Sequence, residues 1–307
     1  MAKERLKGRI SFTIEKEKQV SKELASLATF VGLADMKRYL ERLYASLQID
    51  KERTNAKLPA LTKARHMMFI GNPGTGKTSV ARELATIFYK IGYIKENKLI
   101  EVSRSDLVGE YVGHTAQRMK QCVTQALGGI LFIDEAYALS RGGEKDFGRE
   151  AVDTLVKLME DYKDELIVIL AGYPVEMGQL LQTNAGLTSR IGEIIPFDDF
   201  TNKELYQIFM SRLDQASLVG ENIESVFMRE LAILHSKDNS IPNGRFIRSL
   251  FDHVVRAQSV RLLREENRTT RDLTRILPQD MRRAFADMEF KSRREQDYYR
   301  QRNRTHS

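Results

Sequence analysis

Cysteine is nearly missing from this chain of 307 residues: Cys122 is the only one. No internal disulfide can form and no cysteine-based zinc site is available, which suits a reducing compartment. The five histidines are scattered, so a histidine zinc site is not expected either. Long apolar runs are missing as well. The longest, such as Leu166 to Ala171, are far too short to span a bilayer. The opening Met1-Ala2-Lys3-Glu4-Arg5-Leu6-Lys7 lacks the apolar core of a signal peptide. These absences predict a cytoplasmic protein with no membrane partner. Internal repeats are also absent. Hydrophobic residues make up 42% and charged residues 30%, which excludes wholesale disorder and collagen. The length suits about two domains and a core that needs no covalent staple.

What is present first is charge. The formal net charge is +7, which invites a nucleic-acid partner. Its distribution weakens that reading. Residues 1–100 hold 20 Lys+Arg against 10 Asp+Glu, residues 101–200 hold 9 against 17, and residues 201–307 hold 20 against 15. A chain that changes sign by thirds is not one basic surface. The last 17 residues, 291–307, hold 6 Lys+Arg against 2 Asp+Glu and no aliphatic side chain. This basic tail is expected to be disordered in isolation and is the one segment suited to an anionic partner.

Periodicity divides the rest. Residues 1–23 form a polar extension with one alternating stretch, Ile10–Ile14, that fits a short strand. Helical spacing runs from Glu23 to Asn55, interrupted at Gly32. Short apolar runs then appear at Met67–Ile70, Leu99–Val102, Ile130–Ile133, Leu166–Leu170 and Ile194–Phe197. Helical patterns lie between them at Ser79–Tyr89, Thr115–Ala126, Phe147–Asp161 and Glu176–Gln182. That rhythm predicts an α/β unit over 24–200, with a parallel five-stranded sheet between helices. After Phe200 only helical patterns remain, predicting a smaller all-helical unit over 201–290. Thr201 and Glu204 have the spacing of a capping box at its start.

Two motifs carry chemistry. Gly71-Asn72-Pro73-Gly74-Thr75-Gly76-Lys77-Thr78 matches the P-loop pattern, between an apolar strand and a helix opening at Ser79. Its glycines let backbone N–H groups converge on phosphate oxygens, and the helix N-terminus adds partial positive charge there. Lys77 would reach the β- and γ-phosphates of ATP, and the Thr78 hydroxyl would ligate Mg²⁺. The strand Ile130–Ile133 ends in Asp134-Glu135, the Walker B arrangement. Asp134 would hold Mg²⁺ directly or through water, and Glu135 would act as the base for the attacking water.

Together these motifs resemble those of the AAA+ ATPases, a P-loop NTPase family with a helical lid. The resemblance covers about Leu24 to Leu263. Within the family it is nearest the branch of the Rubisco activase CbbX and stage V sporulation protein K. The residues responsible are His66 to Pro73, Asp106-Leu107-Val108-Gly109-Glu110-Tyr111-Val112-Gly113-His114-Thr115, and Gly128 to Tyr137. Arg141 to Gly148 and Asn243-Gly244-Arg245-Phe246-Ile247-Arg248 look more like the sporulation protein.

The resemblance implies further roles. Val31 and Gly32 lie at the adenine-side turn. Arg190, in Leu187-Thr188-Ser189-Arg190, corresponds to the arginine finger that reaches a neighbour's γ-phosphate in trans; a structural arginine is the alternative. Arg245 corresponds to the lid arginine, sensor 2, with Arg248 competing for that role. Tyr111, between Gly109 and Gly113, corresponds to the pore-loop aromatic that grips a polypeptide; a core tyrosine is the alternative. Arg141–Gly148 is a second pore loop or an inert one. His114 fits a helix start better than a ligand. Gly172-Tyr173-Pro174 stands where many members carry a small polar sensor 1, and Tyr173 has no amide, so no water-positioning role is assigned to it.

The implied protein is a homo-hexameric, Mg²⁺-dependent ATPase that remodels a protein client, in sporulation or in the Rubisco-activase manner. A nucleic-acid motor or loader is the alternative on the same fold, and there only the basic tail would serve. An ATP-binding scaffold conflicts with intact Lys77, Asp134 and Glu135. A small-molecule kinase leaves Arg190 and the lid arginine unexplained.

Overall fold

A computed structural model describes residues 30–61, 66–109, 111, 113–140, 147–237 and 243–289. The expected strand Ile10–Ile14, the helical turns before Phe30, residues 141–146 of the second loop and the tail 291–307 lie outside these residues. The chain divides into two units between Asp198 and Asp199.

The first unit opens with helix α1 (Ala34–Asn55), then β1 (His66–Gly71), α2 (Lys77–Lys90), β2 (Leu99–Val102), a one-turn α3 (Arg104–Leu107) and α4 (His114–Ala126). β3 (Ile130–Ile133), a 3-10 turn (Ala136–Ser140), α5 (Gly148–Asp161) and β4 (Ile167–Gly172) follow. α6 (Pro174–Thr183), α7 (Ala185–Arg190) and β5 (Ile191–Phe197) complete it. The five strands form one sheet in the order β2-β3-β4-β1-β5, all neighbours parallel. The five apolar runs are therefore the five strands, each displaced by a few residues at most.

Strand side chains alternate between faces, so continuous apolar runs supply two cores at once. Met67, Phe69, Ile130, Phe132, Ile167, Ile169 and Phe197 pack with α1 and α2. Met68, Leu131, Ile133, Val168 and Leu170 pack with α4 and α5. Phe69, Phe88 and Phe132 are fully buried, each contributing about 1.5–3 kcal/mol of transfer free energy. His66 joins the strands to α5 through its ring. Its Nδ1 accepts from the Val168 N–H at 3.0 Å and its Nε2 faces the Met159 carbonyl at 3.2 Å. Those partners assign the neutral Nε2–H tautomer. Burial holds its pKa below the ordinary histidine value.

The second unit contains α8 (Asn202–Gln215), α9 (Glu224–Lys237), α10 (Gly244–Leu263), the short α11 (Thr270–Thr274) and a final helix over 278–289. The Thr201/Glu204 capping box forms at the start of α8. The unit is helical as expected, with one addition. β6 (Val219–Gly220) and β7 (Arg275–Ile276) pair in parallel. Two-residue strands are too short to leave an alternation in sequence. Leu205, Phe209, Phe227, Leu231, Ile247 and Leu250 form the core.

Asn243 ties the start of this unit together. It is 4% exposed, accepts from the Phe200 N–H at 3.1 Å and donates to Asp199 at 2.7 Å. Asn243→Ala leaves both groups without that partner. The expected loss is about 1–3 kcal/mol of stability for this unit, measurable by chemical denaturation.

Candidate functional site

The candidate site lies at the carboxyl ends of β1, β3 and β4, where ligands of open α/β sheets bind. The P-loop leaves β1 at Gly71. A Cβ there would sit 2.3 Å from the Phe197 carbonyl oxygen on β5, so glycine is set by strand packing as well as by the loop. Gly74 and Gly76 have φ of 79° and 95°, values that favour glycine. Gly76 opens α2 without a side-chain cap, so its first backbone N–H groups face the loop's concavity. The Thr75 hydroxyl donates to the Asn72 carbonyl at 2.8 Å. Lys77 is 8% exposed. Its ammonium donates to the carbonyls of Gly71 at 2.7 Å and Asn72 at 2.9 Å. Thr78 is half-buried; Asn72, Pro73 and Ser79 are exposed.

Asp134 and Glu135 follow β3. The Asp134 N–H donates to Val102 at 3.0 Å, and its carboxylate accepts from the Glu135 N–H at 3.0 Å. Glu135 has φ 48°, a left-handed conformation that costs an L-residue about 1–2 kcal/mol. The Tyr173 hydroxyl, just past β4, donates to Glu135 Oε1 at 3.4 Å. The Lys77 ammonium lies 5.8 Å from the centre of the same tyrosine ring. P-loop lysine, carboxylate pair and Tyr173 are thus brought together. A cavity of about 550 Å³ opens beside them, lined by Ser103, Arg104, Ser105, Val108, Asp134, Glu135 and Ala138.

Residues 67–199 match the family "ATPase family associated with various cellular activities (AAA)", and residues 201–291 match an AAA lid domain. Stage V sporulation protein K of Bacillus subtilis (strain 168) is 43% identical, over 86% of this chain and 82% of that protein. The chain belongs to the AAA ATPase family. The chloroplastic ribulose bisphosphate carboxylase/oxygenase activase of Cyanidioschyzon merolae is 37% identical, over 87% of this chain and 92% of that protein. A RuvB mutant from Thermotoga maritima shares the fold, with a TM-score of 0.55 at 22% identity, over 85% of this chain and 71% of that one. The protein is accordingly an ATPase with an AAA domain and a lid.

The remaining candidates of this AAA ATPase sit elsewhere. Val31 and Gly32 form the turn before α1; Gly32 has φ 74° and Val31 is half-buried. Arg190 ends α7. Its guanidinium pairs with Glu160 at 3.3 Å and donates to the Gly186 carbonyl at 3.0 Å. Lys163, and more weakly Arg190, hold the Glu160 carboxyl below its ordinary range. Tyr111 is 66% exposed, and its ring meets His114 edge-on at 5.4 Å. His114 is the first residue of α4. Arg245 and Arg248 are exposed, three residues apart on the first turns of α10 in the second unit. Among the described residues no helix is long and apolar enough to cross a membrane.

Sequence reasoning missed Tyr137 and the Ser103–Ser105 cavity wall. Tyr137, two residues after Glu135, is 3% exposed and tilts against Tyr173 at 5.3 Å. Burial, then the Glu135 charge, pushes its hydroxyl pKa up. Ser103 and Asp106 form a capping box for α3, and Arg104 reaches the Ala138 carbonyl. Ser-x-x-Asp spacing was the available signal for that turn; nothing local marks it as a cavity wall.

Glu135→Gly removes the left-handed strain at the cost of chain entropy. Its stability to denaturant is expected to equal the wild type or exceed it by up to about 1 kcal/mol, while turnover is lost. A site free of strain would instead lose stability.

Proposed function

We propose that this ATPase hydrolyses ATP with Mg²⁺ as a homo-hexameric cytoplasmic ring and uses the cycle to draw a protein client through its pore. The observation that carries hydrolysis is the convergence of Lys77 and Glu135 on one tyrosine ring, with Asp134 adjacent. Asn72, Pro73, Gly74, Thr75, Gly76, Lys77, Thr78 and Ser79 hold the phosphates, and Val31 and Gly32 border the adenine. The Thr78 hydroxyl and the Asp134 carboxylate are hard oxygen donors, the set Mg²⁺ takes alongside phosphate and water. Bound there, the ion would offset phosphate charge. Glu135 accepts the proton of the attacking water.

Arg190 offers its guanidinium to the neighbouring subunit's γ-phosphate, a contribution that reaches about 10³–10⁵ in rate in related NTPases. Arg245 contacts the γ-phosphate from the lid, with Arg248 as its competitor. Tyr111 grips the polypeptide, which its exposure supports. Identity to the sporulation protein supports a role in sporulation. A Rubisco-activase-like role is the second reading, favoured by the 37% identical activase.

Glu135→Gln is expected to cut hydrolysis by about 10²–10⁴ and keep ATP binding, measured by phosphate release and nucleotide titration. Used as a trap with ATP in a pull-down, it retains a polypeptide; retention of DNA would overturn the client reading, and retention of Rubisco would select the second one. Tyr111→Ala is expected to lower the amount of client processed per ATP hydrolysed by about tenfold, the scale of one lost aromatic contact. An unchanged ratio would sink the pore-loop role.

A further inference from the structure

We propose, resting on the reading of Glu135 as the base, that Tyr173 is a positioning residue whose hydroxyl orients the Glu135 carboxylate while its ring seats the Lys77 ammonium. Three residues from two chain segments meet on this one side chain. Lys77 comes from the start of α2 and lies 5.8 Å from the ring centre. Glu135 comes from the end of β3, 3.4 Å from the hydroxyl. Tyr137, from the 3-10 turn, lies against the ring at 5.3 Å with planes 31° apart.

The space for this pair is built into the backbone. A Cβ on Gly172 would sit 2.8 Å from the Tyr137 ring and 2.5 Å from Met177 Sδ. Glycine at the end of β4 is therefore what lets Tyr137 pack under Tyr173. Burial first, then the nearby Glu135 charge, pushes the Tyr137 hydroxyl pKa up, so the ring pair stands beside the carboxylate as neutral phenols rather than as charges.

The chemistry differs from that of a small amide at the same place. An amide could donate to a carboxylate or a water, but it has no face for an ammonium. Tyrosine supplies both, and so links the group that binds phosphate to the group that takes the proton. Arriving phosphate pulls on Lys77; the ring beneath it also carries the hydroxyl that sets Glu135.

The test separates ring from hydroxyl. Tyr173→Phe keeps the ring and is expected to lower kcat about tenfold, the scale of one hydrogen bond to a charged acceptor. Its affinity for a fluorescent ATP analogue stays within about twofold, since Lys77 keeps its seat. Tyr173→Asn loses both elements and is expected to lower kcat further and weaken analogue binding. In a Glu135→Gln background, followed by single-turnover hydrolysis, adding Tyr173→Phe is expected to cause no further fall, because the residue acts through Glu135. Tyr137→Phe provides a second probe, with a smaller fall in kcat and unchanged analogue affinity; melting curves exclude unfolding as the cause. Unchanged kcat in Tyr173→Phe, an equal fall in both backgrounds, or an asparagine variant more active than the phenylalanine one would each overturn the proposal. A Glu135→Gln enzyme that turns over like wild type would instead overturn the base assignment. The two failures are thus distinguishable.

Discussion

In a parallel sheet every strand ends on the same side, so the register of β3, β4 and β1 dictates which side chains can meet. Ile133 pairs with Leu170, and Ile70 pairs with Gly172. One step beyond Ile133 comes Asp134, and one step beyond the Ile70–Gly172 pair come the P-loop and Tyr173. No loop has to search for the others, because the apolar packing on both sheet faces has already aligned the strand ends. The same register explains why Gly71 has no room for a side chain against β5.

Groups at this edge are held by contrasting means. Lys77 is bound by backbone carbonyls of its own loop. Asp134 is anchored through its backbone to β2 and through its carboxylate to the next peptide. Glu135 is placed by an unfavourable backbone conformation and a tyrosine hydroxyl. Strain at one residue is tolerable here because β3 on one side and the 3-10 turn on the other are buried. A local cost of about 1–2 kcal/mol is set against a core of fully buried aromatic and aliphatic side chains.

Most of the architecture could be read from sequence because it rests on patterns of short range. Five apolar runs with helical spacing between them are enough for a covered parallel sheet. The P-loop and the Asp134-Glu135 pair are likewise local signatures. The contacts that eluded such reading are long in sequence separation. Tyr173 reaches Glu135 across 38 residues. His66 replaces a strand partner for Val168 across 102. Asn243 holds Phe200 across 43. A histidine, an asparagine and a tyrosine have no periodic signature, and only the fold decides what each faces. β6 and β7 escaped for another reason, since two residues cannot display an alternation.

The amide of Asn243 has a mechanical consequence. It fastens the residues leading into α8 to the residue that starts α10, and Arg245 and Arg248 stand within the next two turns of that helix. The two lid arginines therefore stand within two turns of a buried polar junction, on a helix start that is tied to the entry of α8 rather than on a free end.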